Sequence, residues 1–219
     1  ELVRSALDMC PRVYISLGGI SVEELEKLLA DHRILPSERI CLMYGFQAEP
    51  TPIESNNLRR LGALKTSFPG YRLGFMDHSK GSSDEAMTLA LMALSFGVDC
   101  IEKHLTLDPT LELEDYVSAL PPERFRLFVE RIRNLEKALG TDDLELTATE
   151  LEYRKKAMKV VVSNENLDKD EAVRATNLSL KRTSSSGSSS SIYRIEDVVG
   201  RRLKVDVGPN QQLTEEMLS

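Results

Sequence analysis

The sequence contains little cysteine, and its three cysteines, Cys10, Cys41 and Cys100, cannot all pair in disulfides. Their positions also lack the close spacing that structural metal sites use. We interpret them as reduced thiols in apolar segments, which is typical of a cytoplasmic protein.

Long apolar runs and an excess of basic charge are missing as well. No run approaches the about 18–20 apolar residues that span a bilayer, and the opening ELVRSALDMC has neither the basic end nor the apolar core of a signal peptide. The net charge is −7, which argues against a nucleic-acid partner because phosphate binding needs clustered Lys and Arg. The first residue is not Met, so we expect a piece of a longer protein.

The remaining composition is that of a globular protein, with 219 residues, 41% of them apolar and 29% charged. Within the first 140 residues, β-rich apolar runs alternate with segments of helical periodicity. Ser21 and Glu24 have the spacing of a helix capping box. The alternation predicts parallel βα units, in either a barrel or a doubly wound sheet. The predicted strands cover 12–16, 39–46, 71–76 and 98–107, and the predicted helices cover 21–34, 54–68, 83–97 and 121–140.

Four βα units make only half of an eight-stranded barrel, which usually needs about 250 residues. A half barrel would expose two strand edges and so favour association. We therefore expect that further strands come from an upstream segment or from a partner.

The pattern changes near residue 150, which divides the chain into predicted domains at 1–150 and 151–219. In the second domain, short β-rich runs such as MKVVVS and LSLKR lie between polar turns. A serine-rich tract at 183–191 interrupts it, and such a composition is typical of a flexible segment.

Polar residues follow each of the four predicted strands. In parallel α/β folds the loops after the strands converge at one edge, where chemistry collects. The residues at these ends are Ser16 with Gly18 and Gly19, then Gln47 and Glu49, then Asp77 and His78, and finally Glu102 and His104.

The two strand-end histidines, His78 and His104, could converge on one ion. Imidazole suits divalent metals such as Mn or Zn, and two ligands would leave positions open for water and substrate. The alternative is that each is a hydrogen-bonded structural histidine. The third histidine, His32, lies at a helix end and is expected to be solvated.

Several motifs resemble the sialic acid synthase family, which makes N-acetylneuraminate, legionaminate and pseudaminate. These motifs are GFMDHSKG, ALSFGVDCIEKHLTLD and LEDYVSALPPERF. The stretches KVVVSNENLDKDEAVRATNLSLKR and VVGRRLKVDVGPNQQLTEEML resemble the family's C-terminal antifreeze-like (SAF) domain. The resemblance implies a (β/α)8 TIM-type barrel, of which about the last four units are present, followed by a small β-rich SAF domain.

The reaction that the resemblance implies is a condensation of phosphoenolpyruvate with an N-acyl hexosamine such as N-acetylmannosamine. Water is consumed, phosphate leaves and a nine-carbon 2-keto sugar acid forms. By the same resemblance, His78 and His104 hold a divalent metal, most often Mn. Asp77 supports their surroundings, and Glu102 either does the same or faces the substrate.

The resemblance also implies substrate-binding residues. Ser16 and Gln47 correspond to residues that contact phosphoenolpyruvate, and Asp115 to an acid that binds the sugar hydroxyls. Arg182 corresponds to an arginine that reaches the N-acyl group from the other subunit of a domain-swapped homodimer.

Three positions depart from the family pattern. Met76 replaces a common Ser, Glu49 replaces a common aromatic residue, and Thr183 with the serine-rich tract replaces Pro–Gly. An alternative interpretation is therefore a truncated or degenerate member that only dimerises or binds sugar. A metal-dependent aldolase outside the family would explain the barrel and the histidines but not the second domain.

Overall fold

The structure is a computed structural model that describes residues 2–184 and 190–219. It divides into two compact units, Glu1–Thr141 and Asp142–Ser219. Within the described ranges, no helix has the length and apolar character needed to cross a membrane. The part of the serine-rich tract at 185–189 lies outside the described residues.

The first unit is built on a four-stranded parallel sheet in the order β1-β2-β3-β4. The alternation of strands and helices that the sequence predicted is confirmed. The strands are β1 (Val13–Ser16), β2 (Ile40–Tyr44), β3 (Arg72–Asp77) and β4 (Cys100–Lys103). The helices are α1 (Leu2–Met9), α2 (Val22–Asp31), α3 (Arg59–Ser67), α4 (Leu89–Leu94) and α5 (Pro122–Leu135).

The two faces of this sheet differ in composition because successive side chains on a strand point to opposite faces. On the helix face, Leu42, Leu73 and Phe75 are buried in one core with apolar residues of the helices. On the opposite face, Cys41, Met43 and Met76 form a small sulfur-rich cluster with Cys100. All three cysteines are free thiols, and Cys10 is exposed.

The helix ends follow local capping rules in two of the predicted helices. Ser21 caps α2 and forms the predicted capping box with Glu24. Pro122 occupies the first turn of α5, and Gly140, with a φ of 59°, follows the short 3-10 helix after it.

Other helix boundaries differ from the prediction. The helix predicted over 54–68 is a 3-10 turn followed by α3, because Asn57 has a left-handed φ of 44° between them. The helix predicted over 83–97 is divided at Thr88 into a 3-10 turn and α4. Helix α1 was not predicted from the sequence.

The second unit combines one helix with a small antiparallel sheet. It contains α6 (Ala148–Ala157), β5 (Val160–Ser163) and β6 (Leu178–Lys181), and β5 pairs with β6. The later β-rich runs contribute isolated bridges, such as Leu167 with Val207 and Leu203 with Leu218. These segments pack around their own apolar core, which includes Val161, Leu203 and Leu213.

Candidate metal centre at the strand ends

Three potential metal ligands meet where β2, β3 and β4 end. Glu49 lies in the loop after β2, His78 directly after β3 and His104 directly after β4. One ligand atom from each lies within 4.8 Å of the others. The two imidazole rings are 4.9 Å apart between centroids and make an angle of 68°. The parallel strands therefore bring together two histidines that are 26 positions apart in the sequence.

Glu49 faces both histidines through a single oxygen. Its Oε1 is 3.9 Å from Nε2 of His78 and 3.9 Å from Nε2 of His104. Its other oxygen, Oε2, accepts a hydrogen bond of 2.5 Å from the Ser118 hydroxyl. The same hydroxyl is 2.9 Å from the carbonyl oxygen of His78, which also accepts from the backbone N–H of Thr51. Ser118 thus connects the carboxylate to the backbone of the first histidine.

The histidine nitrogens have the environment of ligand atoms. Nδ1 of His104 is 3.7 Å from a carboxylate oxygen of Asp115, whereas its Nε2 is buried and forms no hydrogen bond to any described residue. Nδ1 of His78 is likewise buried and unpaired within the described part of the chain. Buried nitrogens without partners are uncommon in folded proteins and call for an explanation.

These observations fit a divalent cation. Two imidazoles and a carboxylate form a donor set that Mn, Fe or Zn accepts, and an ion beside Glu49 would give the unpaired Nε2 of His104 a partner. Carboxylates next to ligating histidines commonly orient the ring, which is the geometry of Asp115 beside His104. His78, His104 and Glu49 are therefore the residues that would hold the ion.

A second polar cluster lies behind the histidines, on the helix face of the sheet. The Lys103 ammonium is 3.2 Å from Oδ1 of Asp77, and the two side chains are 1% and 0% exposed. The ammonium also donates to the carbonyl and hydroxyl oxygens of Ser79. Burial lowers the pKa of Lys103, and the charge of Asp77 opposes that shift. Asp77 is thus placed behind the ligand cluster.

The residues expected to bind phosphoenolpyruvate lie beside each other at the same edge of the sheet. The side-chain amide of Gln47 is 3.5 Å from the Ser16 hydroxyl and 3.7 Å from the Met76 sulfur. The Ser16 hydroxyl also accepts from the backbone N–H of Gly18 at 3.4 Å. Met76 is two residues before His78 in the sequence, so this polar pair lies next to the ligand cluster.

Glu102 and Arg182 have more isolated positions. Glu102 is exposed and pairs in register with Met76 across β3 and β4. Arg182 follows β6 in the second unit, where its Nε donates to the carbonyl oxygen of Ala157. The substrate roles of these two residues stay predictions.

Three residues of the candidate site were not predicted from the sequence. Glu49 was noted at a strand end but was assigned no ligand role, and Lys103 and Ser118 were given no role. The signal for Glu49 was its place after β2, which parallels the places of the histidines after β3 and β4. Contacts such as that between Ser118 and Glu49, 69 positions apart, leave no pattern in a single sequence.

Comparison with protein families gives a match for each unit. Residues 1–143 match the model of the NeuB family. Residues 158–219 match a family described as a chaperone for flagella basal body P-ring formation.

Individual relatives support the first of these matches. The chain is 31% identical over 151 residues to the pseudaminic acid synthase of Campylobacter jejuni, covering 69% of this chain and 42% of the relative. The chain spans about half the length of the curated relatives it matches, for instance 55% of one and 42% of another.

Solved structures share the fold. The N-acetylneuraminic acid synthetase of Leptospira borgpetersenii, crystallised with citrate, is 28% identical and superposes with a TM-score of 0.60, covering 71% of this chain and 53% of that one. A Chromobacterium violaceum protein described as spore coat polysaccharide biosynthesis protein E superposes with a TM-score of 0.71 at 19% identity, covering 98% of this chain and 63% of that one. The predicted fold class, part of a TIM-type barrel followed by a small β-rich domain, is confirmed.

Proposed function

The chain belongs to the NeuB family, and on this basis we propose that it forms the metal-binding part of a synthase for a sialic-acid-type sugar. The family assignment made from the sequence motifs is confirmed by the match over residues 1–143. The proposed substrates are phosphoenolpyruvate and an N-acyl hexosamine. The proposed product is a nine-carbon 2-keto sugar acid, and phosphate is released.

The observation that carries this proposal is the convergence of Glu49, His78 and His104 at the carboxyl ends of three parallel strands. A divalent ion bound there would supply a Lewis acid for the aldehyde oxygen of the sugar. The family's metal is most often Mn, which is the ion that we propose for this site. The side chains would orient that ion and leave other coordination positions to the substrate.

Other side chains of this chain are proposed to bind the two substrates. The Ser16 hydroxyl and the Gln47 amide, 3.5 Å apart, offer donors to the anionic groups of phosphoenolpyruvate. Glu102 and Asp115 offer carboxylates to the sugar hydroxyls. We propose that Arg182 binds the N-acyl oxygen across a homodimer, since the guanidinium presents several donors in a fixed fork.

The bond changes define what the assay must detect. The enol carbon of phosphoenolpyruvate forms a new bond to the aldehyde carbon of the sugar, water adds at the adjacent carbon, and phosphate leaves. The test is a condensation assay with Mn²⁺, phosphoenolpyruvate and a panel of N-acyl hexosamines. It uses a form in which four further βα units complete the barrel. We expect equal amounts of phosphate and 2-keto acid; no turnover with any sugar of the panel would refute the proposal.

One observation favours a second candidate function, a sugar-binding module without catalysis. The Met76 sulfur contacts Gln47 at 3.7 Å, in the position where family members commonly carry a serine. Such a module should bind an N-acyl hexosamine with the same affinity whether or not Mn²⁺ is present. The synthase proposal instead predicts tighter sugar binding with Mn²⁺, which isothermal titration can distinguish. A cytoplasmic location stays a prediction for either function.

A further inference from the structure

We propose that the buried cluster of Asp77, Lys103 and Ser79 is a clamp that sets the spacing of the two metal-binding histidines. The inference rests on the proposed metal centre. It holds that these three residues position the histidines without binding the ion. The clamp contains no ligand atom and lies on the other side of the sheet.

The register of the sheet places the clamp directly behind the ligands. Asp77 is opposite Lys103 in the parallel pairing of β3 with β4, and each is the last residue of its strand. The residues that follow them are His78 and His104. Because neighbouring side chains on a strand point to opposite faces, a bond between the first pair fixes the backbone from which the second pair projects.

The contacts of the clamp surround His78 on both sides in the sequence. The carboxylate of Asp77 accepts from the backbone N–H of Ser79 at 2.9 Å and lies 3.2 Å from the Lys103 ammonium. The ammonium donates to the Ser79 carbonyl at 3.1 Å and to its hydroxyl at 3.2 Å. The ammonium therefore has three oxygen atoms within 3.2 Å, all on the two residues that flank His78. The backbone of His78 cannot shift along its strand without breaking bonds to the strand that carries His104.

Stability alone is a poor explanation for this arrangement. Both charged groups are fully withdrawn from water, and replacing a buried ion pair by neutral side chains of similar volume is often neutral or stabilising. The spacing of the histidines, in contrast, is sensitive to the clamp. Metal–nitrogen bonds are about 2 Å long, so a relative strand shift of 1 Å would remove one histidine from the ion.

The test compares two double variants, one that removes the ion pair between β3 and β4 and one that removes an ion pair between β3 and the residue directly before β4. Asp77→Asn with Lys103→Met removes the clamp without leaving one charge buried and unpaired. Arg72→Met with Asp99→Asn removes a pair, 3.4 Å apart, at the opposite end of β3 and β4. Urea unfolding of each variant verifies that it is folded, and titration calorimetry with Mn²⁺ alone measures the dissociation constant.

We expect the clamp variant to raise the Mn²⁺ dissociation constant 10–100-fold, as changes behind metal ligands commonly do, and the control to change it less than twofold. Ser79→Ala, which keeps both charges, should raise it by a smaller factor than the double variant. An unchanged dissociation constant in the clamp variant, or an equal increase in the control, would overturn the proposal. No Mn²⁺ binding by the unmodified chain would overturn the metal centre and the clamp together. Failure of the clamp alone would instead leave Mn²⁺ binding by the unmodified chain intact.

Discussion

Glu49 is the residue that most distinguishes the candidate metal centre from a simple pair of histidines. Its Oε1 is equally distant from both imidazoles, and its Oε2 is fixed by Ser118. We predict that Glu49→Gln raises the Mn²⁺ dissociation constant at least tenfold, because an amide oxygen replaces an anionic ligand. Titration calorimetry measures the change, and Glu54→Gln, an exposed carboxylate in the 3-10 turn that follows, is the matched control. Equal affinities for Glu49→Gln and the unmodified chain would show that the carboxylate is not a ligand.

The three cysteines differ in burial, and this difference predicts how fast each thiol reacts. Burial raises the pKa of Cys41 to about 12 and also raises the pKa of Cys100, while Cys10 is exposed. Since the thiolate is the reactive form, only about 10⁻⁴ of Cys41 would be reactive at pH 8. We predict that a disulfide reagent rapidly modifies Cys10 alone in the folded chain and all three thiols in denaturant. Rapid modification of Cys41 in the folded chain would contradict its burial.

The histidines could be predicted from the sequence, whereas the residues that position them could not. Two histidines next to acidic residues after β-rich runs are visible in a sequence, and parallel strands place such ends together. The approach of Ser118 to Glu49 depends on how the long loop after β4 folds back over the site. That path is determined by tertiary contacts, such as the backbone bond from Gly81 to Val117, which have no local signal.

Gly81 lies three residues after His78, in a segment that packs closely against the loop after β4. A Cβ atom on Gly81 would lie 2.0 Å from the carbonyl oxygen of Ala119, so a substitution must displace the loop. We predict that Gly81→Ala lowers the free energy of unfolding by about 1–3 kcal/mol. Urea unfolding measures this change.

Gly62→Ala is expected to have the opposite effect on the free energy of unfolding. Gly62 lies within α3, and a Cβ atom there would meet a ring carbon of Phe96 at 3.5 Å, which is an ordinary packing distance. We expect this variant to be more stable by about 0.5–1 kcal/mol, because alanine loses less conformational entropy than glycine in a helix. Equal changes in the free energy of unfolding for Gly81→Ala and Gly62→Ala would contradict the difference in packing at the two positions.

Element types were more predictable than their boundaries. All four strands of the first unit follow from their β-rich runs, and Ser21 and Glu24 correctly predict the start of α2. Asn57 adopts a left-handed conformation, which Asn tolerates better than most residues, and this shortens the next helix relative to the prediction. Helix α6 was not predicted, because none of its residues is buried and its apolar residues form no stripe.

Each of the two units has buried apolar clusters formed by its own residues. The second unit encloses its own buried cluster. We predict that residues 142–219 alone unfold cooperatively and give a dispersed amide NMR spectrum. A collapsed spectrum without a cooperative transition would mean that the second unit needs the first in order to fold.

Metal binding by the histidine pair is the property on which the proposed function depends most directly. The measurement is Mn²⁺ titration calorimetry on the purified chain, beside His78→Ala with His104→Ala, and beside His32→Ala at the exposed end of α2 as the control. We predict one ion bound per chain in the unmodified protein and in the control, and no binding in the double variant. Binding that persists in the double variant, or no binding in the folded unmodified chain, would contradict a metal centre at the strand ends.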